Sequence, residues 1–411
     1  MQRSTRRPSR RLAACLLAAA AFAAPIAMPA SAAPASAPTT HVVPPPAPSP
    51  TAHGPSPDAP DPHPPRGGIG PQGQAVGGPR LLARGLVVPA DAPKLPASLT
   101  ARGWVLFDAD TGDILAARDA HGRYQPASIL KTLTTLTLLP LLPGNRVVTV
   151  SAAAAHSEGS AAGLVAGGSY TVDQLFEGLL LVSGNDTAAA LAQAAGGVGH
   201  TVDLMNAEAL ALGAYDTFVQ TPSGLDGWQQ LTSAYDMALF LRTALNDRRF
   251  VTYDRQATAT LPHQAINGYG PVTLHNQNEL FLSTVPGALV AKTGYTDAAQ
   301  HTFVGAIQRQ GRRLGVVFLR AQRWPSDQWQ QARDLINWGF ALPPGTPPVG
   351  HLDTPPPPPA STATTTVRRA GSVTLARIGG HGDSGWIIWV LLGGSITASV
   401  VAWRLRRALR H

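Results

Sequence analysis

The chain has 411 residues, with 32 Lys plus Arg against 24 Asp plus Glu, a formal charge of +8 at pH 7 and a single cysteine. The positive excess lies toward the ends: residues 97–345 carry 16 Lys plus Arg and 19 Asp plus Glu, a balance of −3, which excludes a basic nucleic-acid-binding face there. The one cysteine, Cys15, falls in a leader-like segment, so the rest of the chain has no disulfide and no thiol chemistry.

Residues 1–32 begin with Arg3, Arg6, Arg7, Arg10 and Arg11, continue in apolar residues to Met28 and reach Ala30-Ser31-Ala32, the pattern of a secretory signal peptide cleaved after Ala32. Leu12-Ala13-Ala14-Cys15 is discounted as a lipid-attachment box, because the apolar stretch of such a signal precedes its cysteine and here the arginines run up to Arg11. Residues 33–80 are rich in proline, alanine, serine and glycine and read as a disordered spacer. Residues 81–342 have ordinary hydrophobic content, enough for one large domain or two closely packed lobes. A second spacer, 343–385, contains the run Pro355 to Pro359. Residues 386–403 carry no charge; as a helix they would be roughly 27 Å long, which predicts a transmembrane segment. The tail 404–411 holds Arg404, Arg406, Arg407 and Arg410, which put the C-terminus in the cytoplasm and the folded part on the extracellular face of the cell membrane in a single-pass arrangement.

Within 81–342 the pattern predicts a hairpin, strands 103–107 and 113–117 joined by the turn residues Asp110-Thr111-Gly112. A helix over 127–139 is entered after Pro126 and stopped by Pro140. Residues 172–195 read as two helices broken at Ser183-Gly184-Asn185, and 202–212 as another. Ser233 with Asp236 resembles a capping box that starts a helix over 234–245. Strands at 290–292, 302–308 and 314–319 and a helix over 326–340 complete the domain. Strands at both ends with helices between them indicate an α/β (α+β) fold, an antiparallel sheet flanked by helices, with a helical lobe inserted into the middle of the chain.

The chain has only three lysines against 29 arginines, and two of them, Lys131 and Lys292, sit in short motifs where an amine able to lose its proton has a use. Ser128 falls at the start of a predicted helix with Lys131 three residues on, on the same face. A serine needs a base to become a nucleophile, and a lysine of depressed pKa is one such base. Ser183-Gly184-Asn185 lies in the break between apolar helices, where a hydroxyl and a carboxamide can point into a cleft. Lys292-Thr293-Gly294 follows a strand-like run and suits an extended peptide that ends in a carboxylate. Each pattern alone has an ordinary reading as a helix start, a cap or a turn.

The three patterns in this order resemble S-x-x-K, S-x-N and K-T-G of the serine-type D-alanyl-D-alanine carboxypeptidases, the low-molecular-mass penicillin-binding proteins. The similarity extends through 178–186, 221–226 and 292–297, and covers roughly 99–342. The resemblance implies a β-lactamase/transpeptidase-like fold with the helical lobe between the first and third motifs. It implies that Ser128 attacks the penultimate D-alanine carbonyl of a peptidoglycan stem peptide and forms an acyl-enzyme, with Lys131 as general base. It further implies that Ser183 relays a proton to the leaving nitrogen and that Asn185 holds the substrate amide and orients Lys131. Lys292 and Thr293 would hold the terminal carboxylate, Gly294 would let the substrate lie along the strand, and the N–H groups of Ser128 and Tyr295 would form the oxyanion hole. A β-lactam antibiotic would acylate Ser128 as a covalent inhibitor. No cofactor or metal is implied. One departure is Ala298-Ala299-Gln300-His301, where the family often has Ala-Gly, which bears on the entry to the next strand.

Two other functions are weighed. A serine β-lactamase uses a glutamate after S-x-N to activate water, but the glutamates here, Glu208 and Glu279, sit in no Glu-x-x-x-Asn loop. An inactive wall-binding module would not need Ser128, Lys131 and Lys292. Zinc peptidase chemistry lacks a pattern, since His121, His156, His200, His275 and His301 are scattered with no close ligand pairing, and most read as surface or loop residues.

Overall fold

The computed structural model describes residues 67–353 except Asn267 and Tyr269. The expected signal peptide 1–32, transmembrane segment 386–403 and tail 404–411 lie outside the described residues, as do residues 33–66 and 354–385 of the expected spacers. Among the described residues no helix is long and apolar enough to cross a membrane.

In chain order, a short strand β1 (Leu86–Val87) is followed by the predicted hairpin, β2 (Gly103–Asp108) and β3 (Asp113–Arg118). Its turn is an Asx type: Asp108 Oδ1 accepts from the amides of Asp110 and Thr111 at 3.0 and 3.3 Å, and Gly112 takes φ 89. The lobe contains α1 (Lys131–Leu138), β4 (Val147–Thr149), α2 (Ala152–Ala155), β5 (Ser169–Thr171), α3 (Val172–Leu181), α4 (Asn185–Ala194) and α5 (Val198–Ala211). Next come α6 (Ala234–Ala244), α7 (Arg248–Arg255), β6 (Thr258–Leu261), β7 (Val272–His275) and α8 (Glu279–Thr284). The chain then returns to the main sheet through β8 (Ala288–Thr296), β9 (Gln300–Arg309) and β10 (Arg312–Ala321), and ends in α9 (Gln328–Phe340) and β11 (Gly350–His351).

The main sheet is antiparallel, in the order β1-β3-β2-β10-β9-β8, with β11 also on β3. The N-terminal hairpin thus joins the C-terminal meander through β2 and β10, with Leu106 opposite Val316, which leaves β8 as an edge strand. Alternation explains how both sheet faces are covered. Val105 and Phe107 pack with Leu133 of α1 and Phe240 of α6, whereas Trp104 and Leu106 pack with Leu335, Ile336 and Trp338 of α9.

Helix starts follow side-chain chemistry. A reciprocal cap joins Thr171 and Gln174 at α3, and at α9 the Gln330 side chain accepts from the Asp327 amide at 3.0 Å. At α6 only half of the expected box forms: the Asp236 amide donates to Ser233 Oγ at 3.1 Å, but the Asp236 carboxylate turns away and accepts from the Asp216 amide at 2.8 Å.

Three expectations are corrected. The helix predicted over 127–139 begins as a 3-10 turn, Ala127–Leu130, and becomes α-helical only at Lys131. The folded domain is also longer than 81–342. Residues 67–80, read as the end of a spacer, are held by backbone groups that composition does not reveal: the Gly68 amide donates to Asp216 Oδ1 at 2.9 Å, and the Gly77 amide donates to Asp353 Oδ2 at 2.8 Å. Residues 343–353, assigned to the second spacer, contribute the buried Val349 and Leu352 and the strand β11. Finally, His121 is a core residue, its Nδ1 2.8 Å from Asp216 Oδ2 and its Nε2 3.1 Å from the Val76 carbonyl.

Candidate active site

Ser128 stands in the 3-10 turn that leads into α1. Its predecessor Ala127 has φ 48, a left-handed conformation that a β-carbon disfavours. Neighbours hold this turn in place. Thr302 Oγ1 on β9 donates to the Pro126 carbonyl at 2.9 Å, and a β-carbon on Gly294 would lie 2.7 Å from the Ser128 amide nitrogen. Only glycine at 294 lets the edge strand approach the serine so closely.

Lys131 is fully buried at the start of α1, its Nζ 2.9 Å from Ser128 Oγ, 2.7 Å from Asn185 Oδ1 and 2.6 Å from the Ser223 carbonyl oxygen. Burial pushes its pKa well below the ordinary lysine value and the nearby Lys292 cation pushes it further, while the Asp186 carboxylate opposes both. The Asn185 amide has one orientation open to it, because its Nδ2 donates to the Glu158 carbonyl at 2.6 Å and Oδ1 must then face the lysine. A neutral amine in this setting gives its two protons to Asn185 and Ser223, whose oxygens can only accept. Its lone pair is left facing the Ser128 hydroxyl.

Ser183 occupies the break between α3 and α4 at φ 60, with the Gly184 amide bound to the Gly178 carbonyl at 3.0 Å. This strained turn puts Ser183 Oγ 3.0 Å from Lys292 Nζ, which also donates to the Thr293 carbonyl at 2.8 Å. Lys292 is buried on β8; burial lowers its pKa to about 8, against the opposing pull of the Asp254 carboxylate. Asp254, on α7, is buried too, and burial raises its pKa to about 7. One Asp254 oxygen accepts from the Ala291 amide at 2.8 Å and the other has no hydrogen-bond partner.

The Ala291 contact fixes the direction of the strand's amides. Since the Ala291 N–H points away from β9, and alternate residues of a strand point the same way, the amides of Thr293 and Tyr295 also face the open edge, beside which the Ser128 turn runs. Tyr295 itself turns its ring outward, 54% exposed and 4.6 Å from the ring of His301, so its place in the site is its backbone. The strand entry that Gln300 and His301 put in question keeps its register, with Thr296 opposite Gln300 and Tyr295 opposite His301, but Gln300 takes φ 57, a left-handed conformation that favours glycine.

The structure therefore gathers all eight sequence-predicted residues at one edge of the sheet. Ser128, Lys131 and Asn185 form one hydrogen-bonded group, Ser183 and Lys292 a second, and Thr293, Gly294 and Tyr295 line β8 beside them. Four participants were not legible. The Ser223 and Glu158 carbonyls are backbone groups with no side-chain signature, although Pro222 and Gly224 mark the Ser223 loop as a turn. Asp186 accepts from the amides of Ala162, Gly163 and Leu164, each at 2.9 Å, and so holds the strap that carries Glu158. Asp254 belongs to no motif. Among the described residues no group of three His, Cys, Asp or Glu side chains is placed to hold a metal ion.

A family model described as D-alanyl-D-alanine carboxypeptidase matches residues 89–323. D-alanyl-D-alanine carboxypeptidase DacB2 of Mycobacterium tuberculosis is 40% identical over 262 residues, 63% of this chain and 88% of that protein. DacD of Salmonella typhimurium is 31% identical over 261 residues, and the chain spans 64% of that relative's length. Among solved structures, a D-alanyl-D-alanine carboxypeptidase from Mycobacterium tuberculosis superposes with a TM-score of 0.61 at 40% identity, covering 64% of this chain and 99% of that one. A Streptomyces DD-transpeptidase superposes with a TM-score of 0.57 at 28% identity, covering 61% of this chain and all of that one. The fold and the site define a serine peptidase of the penicillin-binding type. The chain belongs to the D-alanyl-D-alanine carboxypeptidase family.

Proposed function

We propose that this site removes the terminal D-alanine from peptidoglycan stem pentapeptides through an acyl-enzyme on Ser128. The observation that carries the reading is the buried Lys131 amine 2.9 Å from Ser128 Oγ, with acceptors on its other two sides. Neutral Lys131 takes the hydroxyl proton as Oγ attacks the penultimate carbonyl. The oxygen that becomes negative faces the amides of Ser128 and Tyr295, which are fixed before the reaction begins. Collapse breaks the C–N bond, and the leaving nitrogen takes a proton from Ser183 Oγ, which Lys292 replenishes at 3.0 Å. Lys292 and Thr293 hold the terminal carboxylate, so the rest of the stem peptide runs along β8 past Gly294. Water then attacks the ester, its proton passing through Ser183 to neutral Lys292, while protonated Lys131 returns a proton to Ser128 Oγ as the shortened peptide leaves. A β-lactam, which presents an amide followed by a carboxylate in the same relation, acylates Ser128 in place of the peptide. Mass spectrometry of a pentapeptide after incubation tests this: a product shorter by one alanine is expected, and an unchanged peptide contradicts it.

The setting we infer is the outer face of the cell membrane. Residues 1–32 supply a secretory signal, 33–66 and 354–385 connect, 386–403 span the bilayer, and the arginines of 404–411 hold the C-terminus inside. Fractionation of cells producing the full chain, with protease added to intact cells, tests that orientation.

A further inference from the structure

The base reading leaves open what keeps the Ser223 carbonyl against Lys131. Residues 221–225 form an arch over α1, and Ser223 stands at its crown with its carbonyl 2.6 Å from Lys131 Nζ. The crown lies close against the Ser128 turn, as only glycine allows: Gly224 has φ 86, and a β-carbon there would lie 2.0 Å from the Ala127 carbonyl oxygen. The feet of the arch converge on one buried side chain. Gln230 Oε1 accepts from the amides of Gln220 and Thr221 at 3.0 and 2.7 Å, and Gln230 Nε2 donates to the Leu225 carbonyl. Thr134 Oγ1, one helical turn after Lys131, donates to the Pro222 carbonyl at 2.7 Å and forms a second pin. Both side chains are fully buried and neither touches the reacting atoms.

We propose that Gln230 is a positioning residue for catalysis, which with Thr134 holds the Ser223 carbonyl where it takes one Lys131 proton and so directs the lysine lone pair at Ser128. The proposal rests on Lys131 being the base. An amide is required at position 230 because the same group must accept at Thr221 and donate at Leu225. A carboxylate of the same shape sets an oxygen against the Leu225 carbonyl, and a thioether does neither job. Releasing the arch frees the amine to turn, which acts on the acylation step rather than on the binding of the ligand.

The test is the rate of acylation by benzylpenicillin across pH for Gln230→Met, Gln230→Glu and Thr134→Val, beside wild type and Lys131→Arg. Each arch variant should acylate about tenfold or more slowly at the plateau, since small misplacements of catalytic groups cost that much, with the dissociation constant of the initial complex little changed. The acid limb should move to lower pH, because loss of the Ser223 acceptor removes a charge-assisted hydrogen bond from protonated Lys131. A purely structural role would lower the melting temperature and leave the limb where it was. If folded Gln230→Met and Thr134→Val acylate at the wild-type rate with an unmoved limb while Lys131→Arg is inert, the arch has no such role and the base assignment stands. Acylation by Lys131→Arg at the wild-type rate would instead remove the base assignment itself.

Discussion

At the scale of residues, the site is two lysines kept out of water and given different tasks by their neighbours. Lys131, fully buried and beside a second cation, is pushed toward the neutral base; Lys292, with Asp254 behind it, keeps its charge up to about pH 8. The sign of the pH dependence follows. Below its pKa Lys292 is cationic and can hold a carboxylate, and above it that attraction is lost. kcat/KM for a peptide substrate is therefore expected to fall as pH rises through about 8, with the limb in kcat at higher pH because bound carboxylate raises the lysine pKa. Asp254→Asn removes the carboxylate that favours charged Lys292 and should move the basic limb of kcat/KM to lower pH. An unmoved limb would show that Asp254 does not act on Lys292. Lys131→Arg keeps a charge but offers no accessible base, so acylation should fall by at least about 100-fold.

At the scale of elements, each catalytic group sits where regular structure breaks or ends: a 3-10 turn before α1, a left-handed residue between α3 and α4, and the edge of β8. Glycine permits the closest approaches. Gly224→Ala combines φ 86 with a β-carbon 2.0 Å from the Ala127 carbonyl, so the arch or the Ser128 turn must shift; a loss of about 1–3 kcal/mol in chemical denaturation, with slower acylation, is expected. Wild-type stability and rate would mean that the backbone relaxes freely there. Much of this was readable in the sequence. The two helices around Ser183 and the hairpin over 103–117 follow from strong periodicity and turn residues, and all eight candidate site residues meet at one edge. What escaped has local physical causes. The helix α7 turns only Phe250, Tyr253 and Asp254 into the protein, and the strands of the two-stranded sheets β4–β5 and β6–β7 are too short for a pattern. Contacts made by the carbonyls of Ser223 and Glu158 carry no sequence signal, because any residue has a carbonyl.

At the scale of the molecule, the two ends of the described chain are bound to each other and to the sheet. The His351 amide donates to the Gly77 carbonyl at 2.9 Å, β11 extends the sheet on β3, and the Asp353 carboxylate accepts from the Gly77 amide. Composition placed these segments in spacers, since 67–80 is glycine-rich and 343–353 opens with prolines, yet Val76, Val349 and Leu352 are buried. Two truncations separate the boundaries. A chain ending at Gly385 should keep full activity on a soluble peptide, because every site residue and both closing segments remain. A chain ending at Leu342 loses Val349 and Leu352 from the core, about 3–6 kcal/mol of burial, and should melt at markedly lower temperature. Equal melting temperatures would return the boundary to residue 342.

The covalent step on Ser128 is open to one direct measurement, the intact mass of the protein after incubation with benzylpenicillin, followed by peptide mapping of the adduct. A single acyl adduct on the peptide that contains Ser128 is expected in the wild type, with none in a folded Ser128→Ala variant. An adduct that persists in Ser128→Ala, or that maps to another residue, would contradict the assignment of Ser128 as the nucleophile.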